Sequence, residues 1–284
     1  MRYGMNLLLW TTEVTEQHLP LLGSLARMGY DLVEVPVFET GDPAGYARLG
    51  EQLRGMGLTP HAVTALGPDA NIAAADPALR RAGEAKLRAM VDCAAALGAP
   101  TLSGPIHSAI GVFTGQGPRP EELDRSAEIL TRIADHARPA GIRLAIEPLN
   151  RFECYLLNDL ASAAAFARRV APDAGVLYDT FHSHIEEKDV AAAIARDAAQ
   201  IALVHVSEND RSTPGQGQVR WDANFTALKT AGYQGPLIVE AFGLALPALS
   251  AATRIWRRMF TDELVLAADA LAFMRGAWEA ASDA

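Results

Sequence analysis

The 284-residue sequence predicts an α/β fold: a single (β/α)8 (TIM) barrel with extra C-terminal helices. Three observations carry this. Eight short, apolar, β-rich runs recur along the chain, amphipathic helical stretches separate them, and neither a G-x-G-x-x-G nor a P-loop follows the first run. In order, the runs are YGMNLLL from residue 3, DLVEVPVF from 31, TPHAVTAL from 59, APTLSGP from 99, IRLAIEPL from 142, AGVLYD from 174, IALVHVS from 201 and GPLIVEAF from 235. The Ala- and Leu-rich segments between them, such as Asp76 to Leu97 and Pro120 to Ala140, carry helical periodicity. Several close on glycine, as in LGAP, AGIR and AGYQGP. Strand alternating with helix implies parallel strands, and eight such units have a closed solution in the barrel. The tail from Ala248 to Ala284 reads as one or two helices. Its basic cluster, Arg254 to Arg258 around Trp256, reads as helix packing or an oligomer contact. One domain spanning residues 1–284 is the expected organisation.

Half the residues are hydrophobic and 21% are charged, a balance that supports a packed core. The formal charge of −9 argues against nucleic acid as a partner, because phosphate-binding surfaces concentrate Lys and Arg. No run of about 18 apolar residues occurs, so no membrane span is expected. The N-terminus has no long apolar core or cleavage site of a secretion signal. The two cysteines, Cys93 and Cys154, have no zinc-knuckle spacing and read as reduced thiols of a cytoplasmic protein.

In a parallel barrel the chemistry lies at the C-terminal ends of the strands, so polar residues interrupting apolar runs there come first. Four stand out: Glu147 in IRLAIEPLN, Asp179 in AGVLYDTFH, His205 in IALVHVSEND and Glu240 in GPLIVEAF. Their separations of 32, 26 and 35 residues are each about one strand–helix unit, so consecutive strands deliver them to one rim. Three crowded carboxylates repel unless protonated or bound to a cation. Oxygen donors with one imidazole suit Mn²⁺, Mg²⁺ or Co²⁺ better than a structural zinc. The following loops add Asn150, Arg151, Glu153, His182, His184, Glu208, Asn209 and Arg211, expected to face the same cavity and hold substrate.

These residues resemble the ketose 3-epimerase family, the D-tagatose and D-allulose (psicose) 3-epimerases of the xylose isomerase-like barrels. The resemblance is carried by IEPLNRFECYLLND, YDTFHSHIEEKD, VHVSENDRSTPGQGQVRWDANFTALKTAGYQGPLIVEAF and RIWRRMF, with GMNLLLW and MGYDLVEVP near the start. It implies that one divalent metal per chain, Mn²⁺ foremost and Co²⁺ or Mg²⁺ otherwise, is bound by Glu147, Asp179, His205 and Glu240. It implies that Glu147 and Glu240 are the catalytic pair, exchanging the C3 proton on opposite faces of the sugar, with no further cofactor. Glu153, His182 and Arg211 are implied substrate contacts.

The chain departs from the family pattern at Asn6, Ser183 and His184 and in the loop GPIHSAIGVFTG. Asn6 and His107 are therefore expected near the substrate, His107 with a packing role as its alternative. His61, inside a strand, reads as a packing histidine, and Trp10 as a pocket wall or a barrel plug. The expected partner is a small ketose, and the expected assembly a homodimer or homotetramer. Three alternatives stay open: an aldose–ketose or hydroxypyruvate-type isomerase, a metal-dependent apurinic-site endonuclease, and a noncatalytic sugar-binding barrel. Few histidines and the acidic balance weigh against the endonuclease, and the presence of both Glu147 and Glu240 weighs against the noncatalytic barrel.

Overall fold

The computed structural model describes residues 1–282. Eight parallel strands close on themselves in sequence order: β1 (Tyr3–Asn6), β2 (Leu32–Pro36), β3 (Thr59–Val63), β4 (Thr101–Gly104), β5 (Arg143–Ile146), β6 (Gly175–Asp179), β7 (Ile201–Val206) and β8 (Leu237–Val239). Each falls within an expected run. The first run is shorter as a strand than its apolar pattern suggests: Leu7–Leu9 form a 3-10 turn, because the Asn6 side chain accepts the Leu8 N–H and starts the turn.

Helices α1 (Leu19–Met28), α2 (Pro43–Gly55), α3 (Pro77–Leu97), α4 (Pro120–Ala137) and α5 (Leu160–Val170) follow the first five strands. The sixth unit carries α6 (Thr180–Glu186) and α7 (Val190–Asp197), the seventh α8 (Trp221–Thr230), and the tail α9 (Pro247–Thr253) and α10 (Glu263–Ala280). Local chemistry sets their ends. Asp42, Asp76, Asp159, Asp189 and Asp262 each accept backbone N–H groups at a helix start, and α1 and α3 stop at left-handed Gly29 and Gly98. Of the one or two helices expected the tail forms two, but Trp256 lies on the loop between them and is 69% exposed, so helix packing is not its role. Residues 283 and 284 of the expected domain and tail lie outside the described residues.

The main core fills the space between barrel and helices, and Trp10 packs against it. A smaller cluster of Leu32, Ala145, Leu177, Ala202, Leu203 and Ile238 joins β2 to β5–β8. Side chains along a strand alternate faces, so a residue two positions further on shares the face of the one before it. Two positions beyond Leu32, Ala145, Leu177, Leu203 and Ile238 stand Glu34, Glu147, Asp179, His205 and Glu240. The barrel thus carries a polar layer directly above an apolar one, at its C-terminal rim. Gly104 at the end of β4 permits this closure: its φ is 121°, and a Cβ there would strike the Thr64 carbonyl. Its own carbonyl accepts the Glu147 N–H at 3.0 Å.

Candidate active site

Glu147, Asp179, His205 and Glu240 converge as the sequence predicts. One donor atom from each lies within 4.8 Å of the others, and all four residues are buried. Strand register explains part of this, since Asp179 and His205 are direct partners between β6 and β7. Asp179 divides its two oxygens: Oδ1 accepts the backbone N–H groups of Phe181 at 2.6 Å and His182 at 3.3 Å, capping α6, while Oδ2 faces the cluster.

Arg211 closes one side. Its Nη1 donates to Glu240 Oε2 at 2.6 Å and to Asp179 Oδ2 at 3.0 Å. Its guanidinium stacks 3.8 Å from the Phe181 ring centroid, with Phe242 beyond at 5.0 Å. The residue has a φ of 62°, a left-handed conformation that a non-glycine residue holds only when its surroundings impose it.

The electrostatics follow from burial and neighbours. Burial and the Glu240 carboxylate hold the Glu147 carboxyl well above the usual range. Burial acts the same way on Asp179, but Arg211, His182 and His205 outweigh it and hold that carboxyl well below its usual range. Burial opposes charge on His205, yet Glu34 and Glu240 outweigh it and raise the imidazole. His182 is pushed down to about 3 by burial and by Arg211, so it is neutral. Burial raises Glu153.

The cluster suits one metal ion, and two observations of its chemistry make the fit. Three carboxylates and one imidazole form a hard, oxygen-rich donor set. In addition, the fully buried Nδ1 of His205 has no hydrogen-bond partner, although Glu240 Oε1 lies 3.2 Å and Asp179 Oδ2 3.7 Å away. A buried polar atom without a partner, aimed at carboxylates, has the surroundings of a ligand.

The remaining expected site residues separate into three groups. His182 and Glu153 stand at the cluster: His182 Nε2 is 3.5 Å from Glu147 Oε1 and 3.0 Å from Arg211 Nη2, and Glu153 Oε1 accepts from Asn150 Nδ2 at 2.8 Å. Asn6 and His107 stand behind it. Asn6 donates to Glu34 at 2.8 Å and Glu240 at 3.3 Å, while His107 Nε2 donates to the Glu147 carbonyl at 3.1 Å and its Nδ1 bonds Ser108. The polar atoms of both are engaged by protein groups. Arg151, His184, Glu208 and Asn209 turn elsewhere. Arg151 pairs with Glu186, His184 is exposed, the Glu208 carboxylate accepts N–H groups of Gly215, Gln218, Val219 and Trp221, and Asn209 Oδ1 accepts the Gln218 N–H. Sequence position alone cannot show whether a loop side chain faces the cavity or its own backbone. His61 bonds Thr101 in the barrel wall, and burial pushes it down to about 4.

One residue escaped the sequence reading. Glu34 is fully buried on β2 and accepts from Asn6, Ser103 and His205. The signal existed, since a charge interrupts LVEVP at the same offset from the apolar layer as the other four.

A family model described as xylose isomerase-like TIM barrel matches residues 22–274. A ketose 3-epimerase of Arthrobacter globiformis is 33% identical over 281 residues, 97% of this chain and 96% of that protein. A solved L-ribulose 3-epimerase superposes with a TM-score of 0.93 at 32% identity, covering 98% of this chain and 94% of that one. A D-allulose 3-epimerase from Methylomonas sp., solved in complex with D-allulose, has a TM-score of 0.90 at 31% identity, covering 97% and 96%. Likeness over nearly full length, on a barrel that buries this carboxylate and imidazole cluster at its rim, leads to one conclusion: the chain belongs to the ketose 3-epimerase family of the xylose isomerase-like TIM barrels and is an isomerase.

Proposed function

We propose that this chain is a metal-dependent ketose 3-epimerase that interconverts free ketohexoses and ketopentoses of the D-tagatose, D-fructose, D-allulose and L-ribulose type. The observation that carries the reading is the meeting of Glu147 and Glu240, from the ends of β5 and β8, in one buried cluster with Asp179 and His205. These four residues would hold one divalent ion per chain, Mn²⁺ foremost, with Co²⁺ and Mg²⁺ as alternatives. When bound, such an ion polarises the substrate ketone and acidifies the hydrogen on C3.

The side chains carry the proton. Inversion needs a base on one face of C3 and an acid on the other, which two opposed carboxylates supply. Glu147 and Glu240 take these roles, and the configuration of the entering sugar decides which removes the proton and which returns it. The raised carboxyl of Glu147 suits a group that alternately holds and releases a proton. His182 Nδ1 accepts the Asn150 N–H at 3.0 Å, and its Nε2, 3.0 Å from Arg211 Nη2 and 3.5 Å from Glu147 Oε1, places this neutral imidazole where a sugar oxygen would meet it. Together with Arg211 and Glu153 it would grip O1 and O2, holding the planar enediolate and limiting proton delivery to C1. Asn6 and His107 support the pair from behind.

We also assign this one-domain enzyme to a reducing cytoplasm, which its free, buried Cys93 and Cys154 fit, and to a dimer or tetramer. The decisive experiment is turnover of D-fructose and L-ribulose with Mn²⁺ in D₂O. Deuterium at C3 of the epimerised product is expected; label confined to C1 overturns the reading in favour of aldose–ketose isomerisation.

A further inference from the structure

We propose that Glu34 is a positioning residue that holds the Nε2–H of His205 and so aims its Nδ1 into the space shared with the Asp179 and Glu240 carboxylates, which sets the metal affinity of the site. The inference rests on the metal-site reading above but not on the identity of the sugar.

Glu34 and His205 have no solvent exposure, so every polar atom they carry must find its partner inside the protein. The Asn6 amide oxygen accepts the Leu8 N–H at 2.8 Å, which identifies its other end as the amine that donates to Glu34 Oε2 at 2.8 Å. Oε2 is therefore an acceptor. The same oxygen lies 2.7 Å from His205 Nε2, while Oε1 meets Ser103 Oγ at 2.6 Å. A carboxylate anchored from β1 and β4 in this way accepts the Nε2–H across the barrel. The other ring nitrogen, Nδ1, is the atom without a partner, and its lone pair is the one a metal would take once its proton is displaced. A histidine that ligates through one nitrogen while a carboxylate takes the other N–H has its ring angle, tautomer and basicity set by that carboxylate.

Both Glu34 oxygens are taken up by Asn6, Ser103 and His205, so its effect on chemistry runs through His205. Removing such a supporting carboxylate lowers metal affinity by about 10- to 100-fold.

The test is calorimetric titration of Mn²⁺ and Co²⁺ into the metal-free full chain, comparing wild type with Glu34→Gln, which keeps the shape and removes the charge. A Kd weaker by at least about tenfold is expected. A second, activity-independent readout is the histidine ring ¹H–¹⁵N spectrum of the Zn²⁺-loaded protein. Wild type should show a slowly exchanging Nε2–H for His205 that Glu34→Gln loses or shifts. Glu34→Asp, with its carboxylate drawn back by one methylene, should fall between the two, and it decides the matter if Glu34→Gln does not fold. Unchanged Kd and an unchanged Nε2–H signal in the folded variants overturn the proposal. A wild type that binds metal through this site but fails to epimerise ketoses removes the functional reading and leaves this one standing; a wild type that binds no metal removes both.

Discussion

The two halves of the barrel put polar residues at the same rim to different ends. From β5 to β8 come Glu147, Asp179, His205 and Glu240, whose donor atoms converge on one shared space. From β1, β2 and β4 come Asn6, Glu34 and Ser103, whose polar atoms chiefly satisfy one another and reach the second half through His205 and Glu240. The difference lies in what is left over. In the first half Asn6, Glu34 and Ser103 consume one another's hydrogen-bonding capacity, and the one buried nitrogen left over among the described residues, His61 Nε2 on β3, has no carboxylates converging on it; in the second, an unpartnered imidazole nitrogen and crowded carboxylates share one space that suits a ligand. The Asn6, Glu34 and Ser103 network holds His205 and Glu240 from the other side of the barrel.

The largest effect is expected at the proposed catalytic pair. Glu147→Gln and Glu240→Gln should each lower kcat by about 10²- to 10⁴-fold, because the amide keeps the shape but cannot carry the proton. Steady-state rates with D-fructose or L-ribulose check it, and near-normal turnover in either variant would remove that residue from the proposed role.

Next in size is Arg211→Ala. It strips the buried Asp179 and Glu240 carboxylates of their guanidinium and should destabilise the metal-free protein by about 3–5 kcal/mol. Urea denaturation measures this, and added Mn²⁺ should restore part of the loss, since a cation then compensates the same charges.

In the supporting half, Ser103→Ala removes one hydrogen bond to the buried Glu34 carboxylate. A loss of about 1.5–3 kcal/mol is expected in the same denaturation assay, with kcat at saturating Mn²⁺ little changed. A large fall in kcat would blur the division between the two halves.

The same crowded half should also respond to pH. Glu147 and His205 both have raised pKa values in the metal-free fold, so the stability they give is present below their unfolded values and is lost as pH rises towards their folded ones. A metal ion competes with those protons, so its affinity rises with pH, by up to tenfold or about 1.4 kcal/mol per proton displaced per pH unit. The gap in melting midpoint with and without Mn²⁺ should therefore widen from about pH 6 to about pH 8. A constant gap would show that binding displaces no protons.

Much of this protein was legible in one dimension, for reasons of periodicity. Apolar runs of strand length alternating with helical patterns determined an eight-stranded parallel barrel, and polar interruptions at four consecutive strand ends determined that Glu147, Asp179, His205 and Glu240 meet. Direction along a strand is a matter of counting, so the rim could be read. Glu34 carried the same offset, but its pairing partner His205 is 171 residues away and only barrel closure joins them. Tertiary structure alone decided where side chains with several options turned: Glu208 into its own loop, His107 onto the Glu147 carbonyl, Asn6 behind Glu240, and Arg211 into a left-handed backbone that aims it at two carboxylates. The physical reason is that backbone periodicity sets which face a side chain leaves from. The hydrogen-bond partners that satisfy it once water is excluded come from strands and loops far away in the chain.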